Sequence, residues 1–385
     1  MTIYKEEKIA FASSHPIQYQ VPIFKRISKK KNSFYAIFGC EINSSTKMFD
    51  KEFKKNITWG KDLQKGFNFI SFNKNYTYLK NIYKIFNFLK NKKITIIIVS
   101  GWDSNFYKLI IIIAKILKIK IILRCENNLY NEKNLKKYLK IFVYSILFKL
   151  FYKFIAIGKK NIEMYLRCGV DRRKIFLAPY CVDDQFFSGK KILKSKFLPI
   201  KKEINKKKAK IFLFVGKIIN RKGYKDLMKI SLMIKNNTKL YNNSIFLIIG
   251  TGDKLNEIKN FMKDNEIINF KFLGFKSQKD LVYYYKIADY LLLPSLYETW
   301  GLVVNEAMSV GTPCVVSNNC GCANDLVISG MNGFTYDAGN CKELFKIINN
   351  IILKNSIHNK IKKNVKISIS NFNIKKTVDL ILNIK

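Results

Sequence analysis

The chemically richest stretch of this sequence is LLLPSLYETWGLVVNEAM, residues 291–308. A buried strand is predicted to end at Pro294, and the apolar periodicity that starts at Leu302 predicts a helix. Glu298 lies in the loop between them and Glu306 lies inside the helix, with seven residues between the two carboxylates. This spacing allows both side chains to face the same crevice.

The predicted start of this helix is a candidate phosphate site. The N–H groups of Gly301, Leu302 and Val303 precede the first hydrogen-bonded turn, so the helix itself offers them no acceptor. Unpaired N–H groups at a helix N-terminus attract anions, and glycine has no Cβ to keep a phosphate group at a distance. The sequence therefore predicts an anion site beside the two carboxylates.

The order of several short motifs carries a resemblance to a known family. The stretch 291–321 combines a strand that ends in proline with E-x-x-G-L, E-A-M and G-T-P-x-V-V. FVGKIINRKG lies upstream at 214–223, GTGD at 250–253, FLGF at 272–275, and RCGVDRRKIFLAPYCVDDQFF at 167–187. Together they resemble the E-x7-E signature of family 4 of the retaining glycosyltransferases. The opening SSHPIQYQVPIFKRI is similar to the start of one subgroup of these enzymes.

The resemblance implies a nucleoside-diphosphate sugar as donor, with a UDP-sugar or a GDP-sugar expected, and neither a cofactor nor a metal. Glu306 would bind the ribose hydroxyl groups, and Glu298 would contact the donor sugar. Lys217, Arg221 and Lys222 would neutralise the diphosphate, because fixed cations stabilise the charge that the leaving group gains. The alternative for each cation is an ordinary solvated side chain. The remaining donor-site candidates are Gly216, Gly250, Gly252, Gly301, Leu302 and Val303.

The first half of the chain is expected to hold the acceptor. His15 follows the first predicted strand and precedes Pro16, a proline at a predicted helix N1 position, so its imidazole is expected to point toward the site. Arg124 and Glu126 follow the strand predicted at 119–123, where ligands of such sheets bind, although a local ion pair is an equal alternative. With Glu298, these three residues are the catalytic candidates. Ser14, Gln18 and Asp103 complete the acceptor side.

The resemblance also implies a mechanism. The departing phosphate would help to remove the acceptor's proton, and the product would keep the α configuration of the donor. The acceptor is expected to be a glycan or a lipid-linked sugar in surface polysaccharide or glycoconjugate synthesis. Two alternatives remain open: a nucleotide-sugar epimerase or phosphorylase on the same fold, and a non-catalytic protein that binds polyanions.

Short apolar runs alternate with segments of helical period along most of the chain, which is typical of an α/β fold with parallel sheets. The alternation restarts after a lysine-rich stretch at 190–209, so we predict two doubly wound, Rossmann-like domains joined by this linker. Residues 1–189 would bind the acceptor. Residues 210–385 would bind the nucleotide sugar, with terminal helices that pack back on the first domain. In the GT-B architecture that the resemblance implies, the two domains face an interdomain cleft.

The net charge of +43, from 70 basic and 27 acidic residues, suggests a polyanionic partner. Only six of the basic residues are arginine, whereas proteins that read nucleic acid rely on arginine for bidentate contacts. We therefore expect no nucleic acid partner. Codon drift in an AT-rich genome, which favours Lys, Ile and Asn, accounts for most of the surplus.

The cysteine and histidine patterns exclude two classes of small-domain architecture. The eight cysteines include no CxxC pair, and His15 and His358 are far apart, so neither a zinc site nor a disulfide framework is predicted. Glu6 and Glu7 interrupt the apolar core that a secretory signal needs, and charged residues interrupt the most apolar tract, 94–123. We expect a cytoplasmic protein with reduced thiols.

Two segments rich in lysine and aromatic residues lie at 76–93 and 138–154. Helices of this composition bind at the interface of anionic membranes, so they predict a peripheral protein on the inner face of the cytoplasmic membrane. The alternative is that both are helices facing the core.

Overall fold

The structure is a computed structural model that describes residues 7–40, 47–50, 55–58, 63–73, 75–129, 134–187 and 209–384. These residues form two compact units. The first lies within Met1–Met48, Asn56–Tyr180 and Ile374–Lys385, and the second within Phe49–Lys55 and Cys181–Asn373. The linker predicted at 190–209 lies outside the described residues, apart from Ala209.

The strands of the first half of the chain are short and mostly apolar. They are β1 (Ile9–Ser13), β2 (Phe34–Phe38), β3 (Lys47–Asp50), β4 (Lys55–Thr58), β5 (Asn68–Ser71), β6 (Ile96–Val99), β7 (Lys120–Arg124), β8 (Lys153–Ala156) and β9 (Ile175–Leu177). β3 and β4 pair with each other, and the other seven form one parallel sheet in the order β5-β2-β1-β6-β7-β8-β9. Every residue of β1 and β6 is buried, as expected for strands covered on both faces.

Five helices connect these strands: α1 (Val21–Lys30), α2 (Tyr78–Asn91), α3 (Asn105–Ile116), α4 (Asn134–Leu147) and α5 (Lys159–Arg167). Successive right-handed crossovers from β5 to β9 place α2, α3, α4 and α5 on one face of the sheet. Helix α1 joins β1 to β2 in the opposite direction, so it lies on the other face. Short 3-10 turns follow at Phe148–Leu150 and Arg172–Lys174.

The second unit contains a parallel sheet of six strands: β10 (Lys210–Val215), β11 (Ser244–Ile249), β12 (Phe270–Gly274), β13 (Tyr290–Leu293), β14 (Cys314–Ser317) and β15 (Gly333–Tyr336). Their order is β12-β11-β10-β13-β14-β15. The helices are α6 (Asp184–Phe187), α7 (Tyr224–Lys235), α8 (Thr238–Asn242), α9 (Leu255–Asp264), α10 (Gln278–Ile287), α11 (Leu302–Ser309), α12 (Ala323–Leu326), α13 (Cys341–Leu353) and α14 (Asn355–Ile369), with a 3-10 turn at Asn220–Lys222.

The last helix, α15 (Ile374–Leu382), belongs to the first unit and packs against α1. Lys30 of α1 pairs with Asp379 of α15. The hydroxyl group of Thr377 donates to the carbonyl oxygen of Pro179, 3.3 Å away. None of the described helices is both long and apolar enough to cross a membrane.

The prediction of an α/β fold with two parallel sheets is confirmed. The predicted start of the first helix at Pro16 is wrong. A turn comes first, in which the N–H groups of Gln20 and Val21 both donate to the carbonyl oxygen of Ile17, and α1 begins only at Val21 with Pro22 in its first turn. His15 therefore lies in a loop that precedes this turn. The apolar pattern missed the edge strands β5 and β15, which are short and only partly buried.

Gly223→Ala is expected to destabilise the protein strongly. The residue has a φ of 74°, and a Cβ there would lie 1.9 Å from the carbonyl oxygen of Pro294. Gly330→Ala is the matched control, because its φ of 78° is similar while nothing lies within 4 Å of an added Cβ. The left-handed conformation alone costs the control about 1 kcal/mol, and the backbone clash raises the cost at Gly223 to at least about 3 kcal/mol. Urea denaturation measures the free energy of unfolding of both variants. An equal decrease in Gly223→Ala and Gly330→Ala would contradict the steric explanation.

Candidate active site

In the second unit, one carboxylate collects two cations. Glu298, in the loop after β13, accepts a hydrogen bond from Nζ of Lys222, and Nη1 of Arg221 lies 3.4 Å from the same carboxylate oxygen. The side chains of Lys222 and Glu298 are 12% and 13% exposed. The two cations come from the 3-10 turn that precedes α7, and the N–H of Leu296 donates to the carbonyl oxygen of Arg221. Two cations on one carboxylate leave this group with a net positive charge.

The turns after β10 and β11 meet through their backbones. The N–H of Ile218 donates to the carbonyl oxygen of Thr251 over 2.9 Å. A Cβ on Gly250 would lie 1.8 Å from the carbonyl oxygen of Gly216, and one on Gly252 would lie 2.3 Å from that of Ile218. These glycines are therefore required for the approach of the two turns. Lys217, which follows Gly216 in the turn after β10, is half-buried.

Glu306 has different partners from Glu298. Its Oε2 accepts a 2.6 Å hydrogen bond from the hydroxyl group of Tyr285 on α10. Burial raises the pKa of Glu306 to about 7, although hydrogen bonds from Tyr285 and Gln278 favour the charged form. No sequence signal distinguishes Tyr285, because it lies in a run of three tyrosines in which only packing separates one side chain from another.

The start of α11 lies between the two carboxylates. Gly301 precedes it with a φ of 104°, a conformation that favours glycine, and the N–H of Val304 is the first to donate within the turn, to the carbonyl oxygen of Gly301. Leu302 and Val303 are half-buried. The loop after β14 braces this segment, since the N–H of Gly321 donates to the carbonyl oxygen of Glu298 over 2.9 Å.

In the first unit, the loop after β1 places two of the acceptor-side candidates in contact. Nδ1 of His15 lies 2.9 Å from the hydroxyl group of Ser14, whose N–H donates to the hydroxyl oxygen of Tyr107. Burial lowers the pKa of His15, which favours the neutral imidazole. Gln18 is half-buried in the following turn, and Asp103 is exposed in the loop after β6.

The expected alternative of an ion pair between Arg124 and Glu126 is wrong for these described side chains. Oε1 of Glu126 instead accepts hydrogen bonds from the hydroxyl groups of Tyr19, 2.8 Å away, and Tyr180. The guanidinium carbon of Arg124 lies 4.6 Å from the centre of the Tyr180 ring. Sequence reasoning did not single out the two tyrosines, although both lie inside motifs that carried the resemblance.

Comparisons with known proteins find similarity to glycosyltransferases. Residues 197–368 match the family model described as Glycosyl transferases group 1. The chain is 31% identical to UDP-Gal:alpha-D-GlcNAc-diphosphoundecaprenol alpha-1,3-galactosyltransferase of Escherichia coli over 219 residues, 55% of this chain and 54% of that protein. It is 24% identical to N,N'-diacetylbacillosaminyl-diphospho-undecaprenol alpha-1,3-N-acetylgalactosaminyltransferase of Campylobacter jejuni, over 60% of each chain. The alignments thus span little more than half the length of these relatives.

The likeness to solved structures covers nearly the whole chain. HepE of Anabaena, in complex with UDP and glucose, superposes with a TM-score of 0.71 at 17% identity over 98% of both chains. The fold is the GT-B fold of glycosyltransferases, with one parallel sheet in each unit. The family match lies within the bounds of the second unit, which contains Glu298 and Glu306.

Glu306→Gln is expected to change how stability depends on pH. The unfolded chain releases the Glu306 proton near pH 4.5, whereas the folded protein keeps it up to a pKa of about 7. The folded state therefore binds more protons between these values, and the free energy of unfolding of the wild type decreases as the pH rises through this window. Glutamine does not titrate. Between about pH 5 and about pH 8, the free energy of unfolding measured by urea denaturation is therefore expected to fall less in Glu306→Gln than in the wild type.

Glu266→Gln is the control for this measurement, because the side chain of Glu266 is 87% exposed. We expect its pH profile to match that of the wild type. If the free energy of unfolding of Glu306→Gln depended on pH in the same way as that of the wild type, this would contradict a buried, protonated carboxyl group at Glu306.

Proposed function

We propose that this protein is a retaining glycosyltransferase that transfers a sugar from a nucleoside-diphosphate sugar to a glycan or lipid-linked acceptor. The observation that carries the proposal is the pairing of Lys222 and Arg221 with Glu298, beside the N-terminus of α11 in a GT-B fold. The family match to the second unit supports it. The names of the two bacterial relatives support a lipid-linked acceptor, and the UDP complex of HepE supports a UDP-sugar as donor.

The charges in the second unit suit a diphosphate. Glu298 holds Lys222 and Arg221 close together, and its one negative charge does not neutralise both. A leaving nucleoside diphosphate gains negative charge in the transition state, so fixed cations stabilise that state more than the ground state. In this proposal Glu306 binds the ribose, Glu298 orients the donor sugar and the cations, and neither metal nor cofactor takes part.

The acceptor side is proposed to lie in the first unit. His15 is neutral at physiological pH because burial lowers its pKa, so its imidazole can accept a hydrogen bond from an acceptor hydroxyl group. Two tyrosines fix the carboxylate of Glu126 through Oε1, so it can orient an acceptor without moving. The departing phosphate takes the acceptor's proton in this retaining mechanism.

Lys222→Ala is expected to reduce kcat/KM for the donor by about 100-fold, the usual effect of removing one charge-stabilising donor. Sugar transfer from UDP-sugars and GDP-sugars to lipid-linked acceptors measures it. Lys225→Ala is the matched control, because Lys225 is an exposed lysine one turn further on and is expected to leave transfer unchanged.

Binding and product analysis test the proposal as a whole. UDP or GDP is expected to raise the melting temperature of the wild type, since a ligand that binds only the folded state stabilises it. Full activity of Lys222→Ala would overturn the donor-site assignment. Turnover of the nucleotide sugar without an acceptor would favour an epimerase, and tight, salt-dependent nucleic acid binding would favour a polyanion-binding protein.

We propose in addition that the first unit docks on the inner face of the cytoplasmic membrane through α4. The helix exposes an apolar stripe at a spacing of three and four residues, and its members are 49–85% exposed: Leu135, Tyr138, Leu139, Phe142, Val143 and Ile146. Lys136 and Lys149 are exposed at the two ends of this region. A large apolar surface bordered by lysines fits the interface of an anionic bilayer.

The neighbouring helices on the same face of the sheet extend this surface. Tyr78, Leu79 and Tyr83 of α2 and Ile112 and Ile116 of α3 are also exposed. Both segments that sequence composition singled out, 76–93 and 138–154, contribute side chains to it. This arrangement supports peripheral membrane association, and it makes α4 the main contact.

The double variant Leu139→Glu with Phe142→Glu is expected to abolish flotation with vesicles that contain anionic phosphatidylglycerol. The two new carboxylates oppose both insertion of the stripe and attraction to the lipid headgroups. Ile268→Glu with Ile367→Glu is the matched control, because these residues of the second unit are similarly exposed, at 65% and 63%. Absence of wild-type flotation at low salt, or equal flotation of both double variants, would refute docking through α4.

A further inference from the structure

A row of polar side chains crosses three neighbouring strands of the first sheet at their carboxyl ends. β1, β6 and β7 are parallel, and their last apolar residues pair in register. The residues that follow, Ser13, Ser100 and Arg124, therefore lie side by side and share one face of the sheet. This is the face covered by α1, and the carboxyl edge is where ligands of such sheets bind.

Two residues of this row have buried polar atoms without a hydrogen-bond partner among the described residues. The hydroxyl group of Ser13 donates to Oε1 of Gln20 over 3.0 Å. In contrast, Oγ of Ser100 and both Nε and Nη2 of Arg124 are buried and have no hydrogen-bond partner among the described residues. Arg124 is only 2% exposed. Unpaired buried donors carry their full desolvation cost, and those of a charged group carry more, so a bound anion is the natural explanation.

The surroundings of Arg124 hold its guanidinium group in place without neutralising it. The guanidinium carbon lies 4.6 Å from the centre of the Tyr180 ring, a cation–π contact that brings no negative charge to the group. Glu126, the nearest acid in sequence, has its Oε1 engaged by Tyr19 and Tyr180. Arginine is also rare here, since 64 of the 70 basic residues are lysine. A planar fork of donors binds two oxygens of one phosphate group, which a lysine cannot do.

We infer that Arg124 and Ser100 form a phosphate subsite that binds a phosphate group carried by the acceptor. The donor diphosphate already has the cations Lys222 and Arg221 in the second unit, so a separate phosphate group best matches this site. The identity of the carrier rests on the proposed function, because an acceptor exists only if the protein is a transferase. The phosphate site itself does not depend on that function.

Isothermal titration of the full chain with inorganic phosphate and with pyrophosphate, at saturating UDP, tests the site while the donor site is occupied. The wild type is expected to show saturable binding, and Arg124→Lys is expected to weaken it at least tenfold, because the charge remains but the fork is lost. Ser100→Ala is expected to weaken it severalfold with little effect on packing. Arg173→Lys is the matched control, since Arg173 is 91% exposed, and binding should be unchanged.

Steady-state kinetics identify the carrier. Arg124→Lys is expected to raise KM at least tenfold for an acceptor that bears a phosphate group, to leave KM for the donor unchanged, and to leave KM unchanged for the same acceptor without phosphate. A raised donor KM with an unchanged acceptor KM would overturn the assignment to the acceptor. The site would be overturned if the wild type showed no saturable phosphate binding, or if Arg124→Lys and Ser100→Ala both bound phosphate as tightly as the wild type.

Cooperative thermal unfolding of each variant shows that it is folded. If Arg124→Lys does not fold, the phosphate affinity of Ser100→Ala compared with that of the wild type tests the subsite alone. If UDP and GDP fail to bind, the proposed function fails, and phosphate titrations without nucleotide still test the subsite through Arg124.

Discussion

Close backbone contacts at the carboxyl edge of the second sheet hold its loops together, and the candidate site depends on them. A Cβ on Gly223, Gly250 or Gly321 would lie 1.8–1.9 Å from a carbonyl oxygen of a neighbouring loop. Only glycine permits these approaches. The contact of Gly223 with Pro294 places the start of α7 against the end of β13. Lys222, which precedes Gly223, is thereby held close to Glu298 in the loop after β13.

Charge placement matters more in this protein than total charge. The net charge is +43, but the cations that occupy defined positions at the candidate sites are few. Lys222 and Arg221 share the carboxylate of Glu298, whereas Arg124 is buried beside the ring of Tyr180, and two of its nitrogen atoms have no hydrogen-bond partner in the described part of the chain. Solvent screens the charges of Arg124, which is 2% exposed, and of Lys222, whose side chain is 12% exposed, less than that of Arg221, whose side chain is 38% exposed.

Sequence pattern located the strands well where they are buried on both faces. The strand predicted at 119–123 is observed one residue later, as β7 (Lys120–Arg124), and four of its five residues are buried. Buried parallel strands read as continuous apolar runs, because helices cover both sides. The pattern failed at β5 and β15, which lie at the sheet edges, and at the start of α1. There, Pro16 supplies a local preference for a helix start that the turn at Ile17 overrides.

The sequence by itself determined the α/β architecture and the segment that contains Glu298 and Glu306, because apolar periodicity and short-range spacing are local properties. It left each side chain's partner open. Tertiary structure decided that Glu298 binds Lys222 and Arg221 while Glu306 binds Tyr285, and that Tyr19 and Tyr180, rather than Arg124, satisfy Glu126. These pairings join residues 21 to 107 positions apart, and packing of distant elements, which spacing does not encode, brings them together.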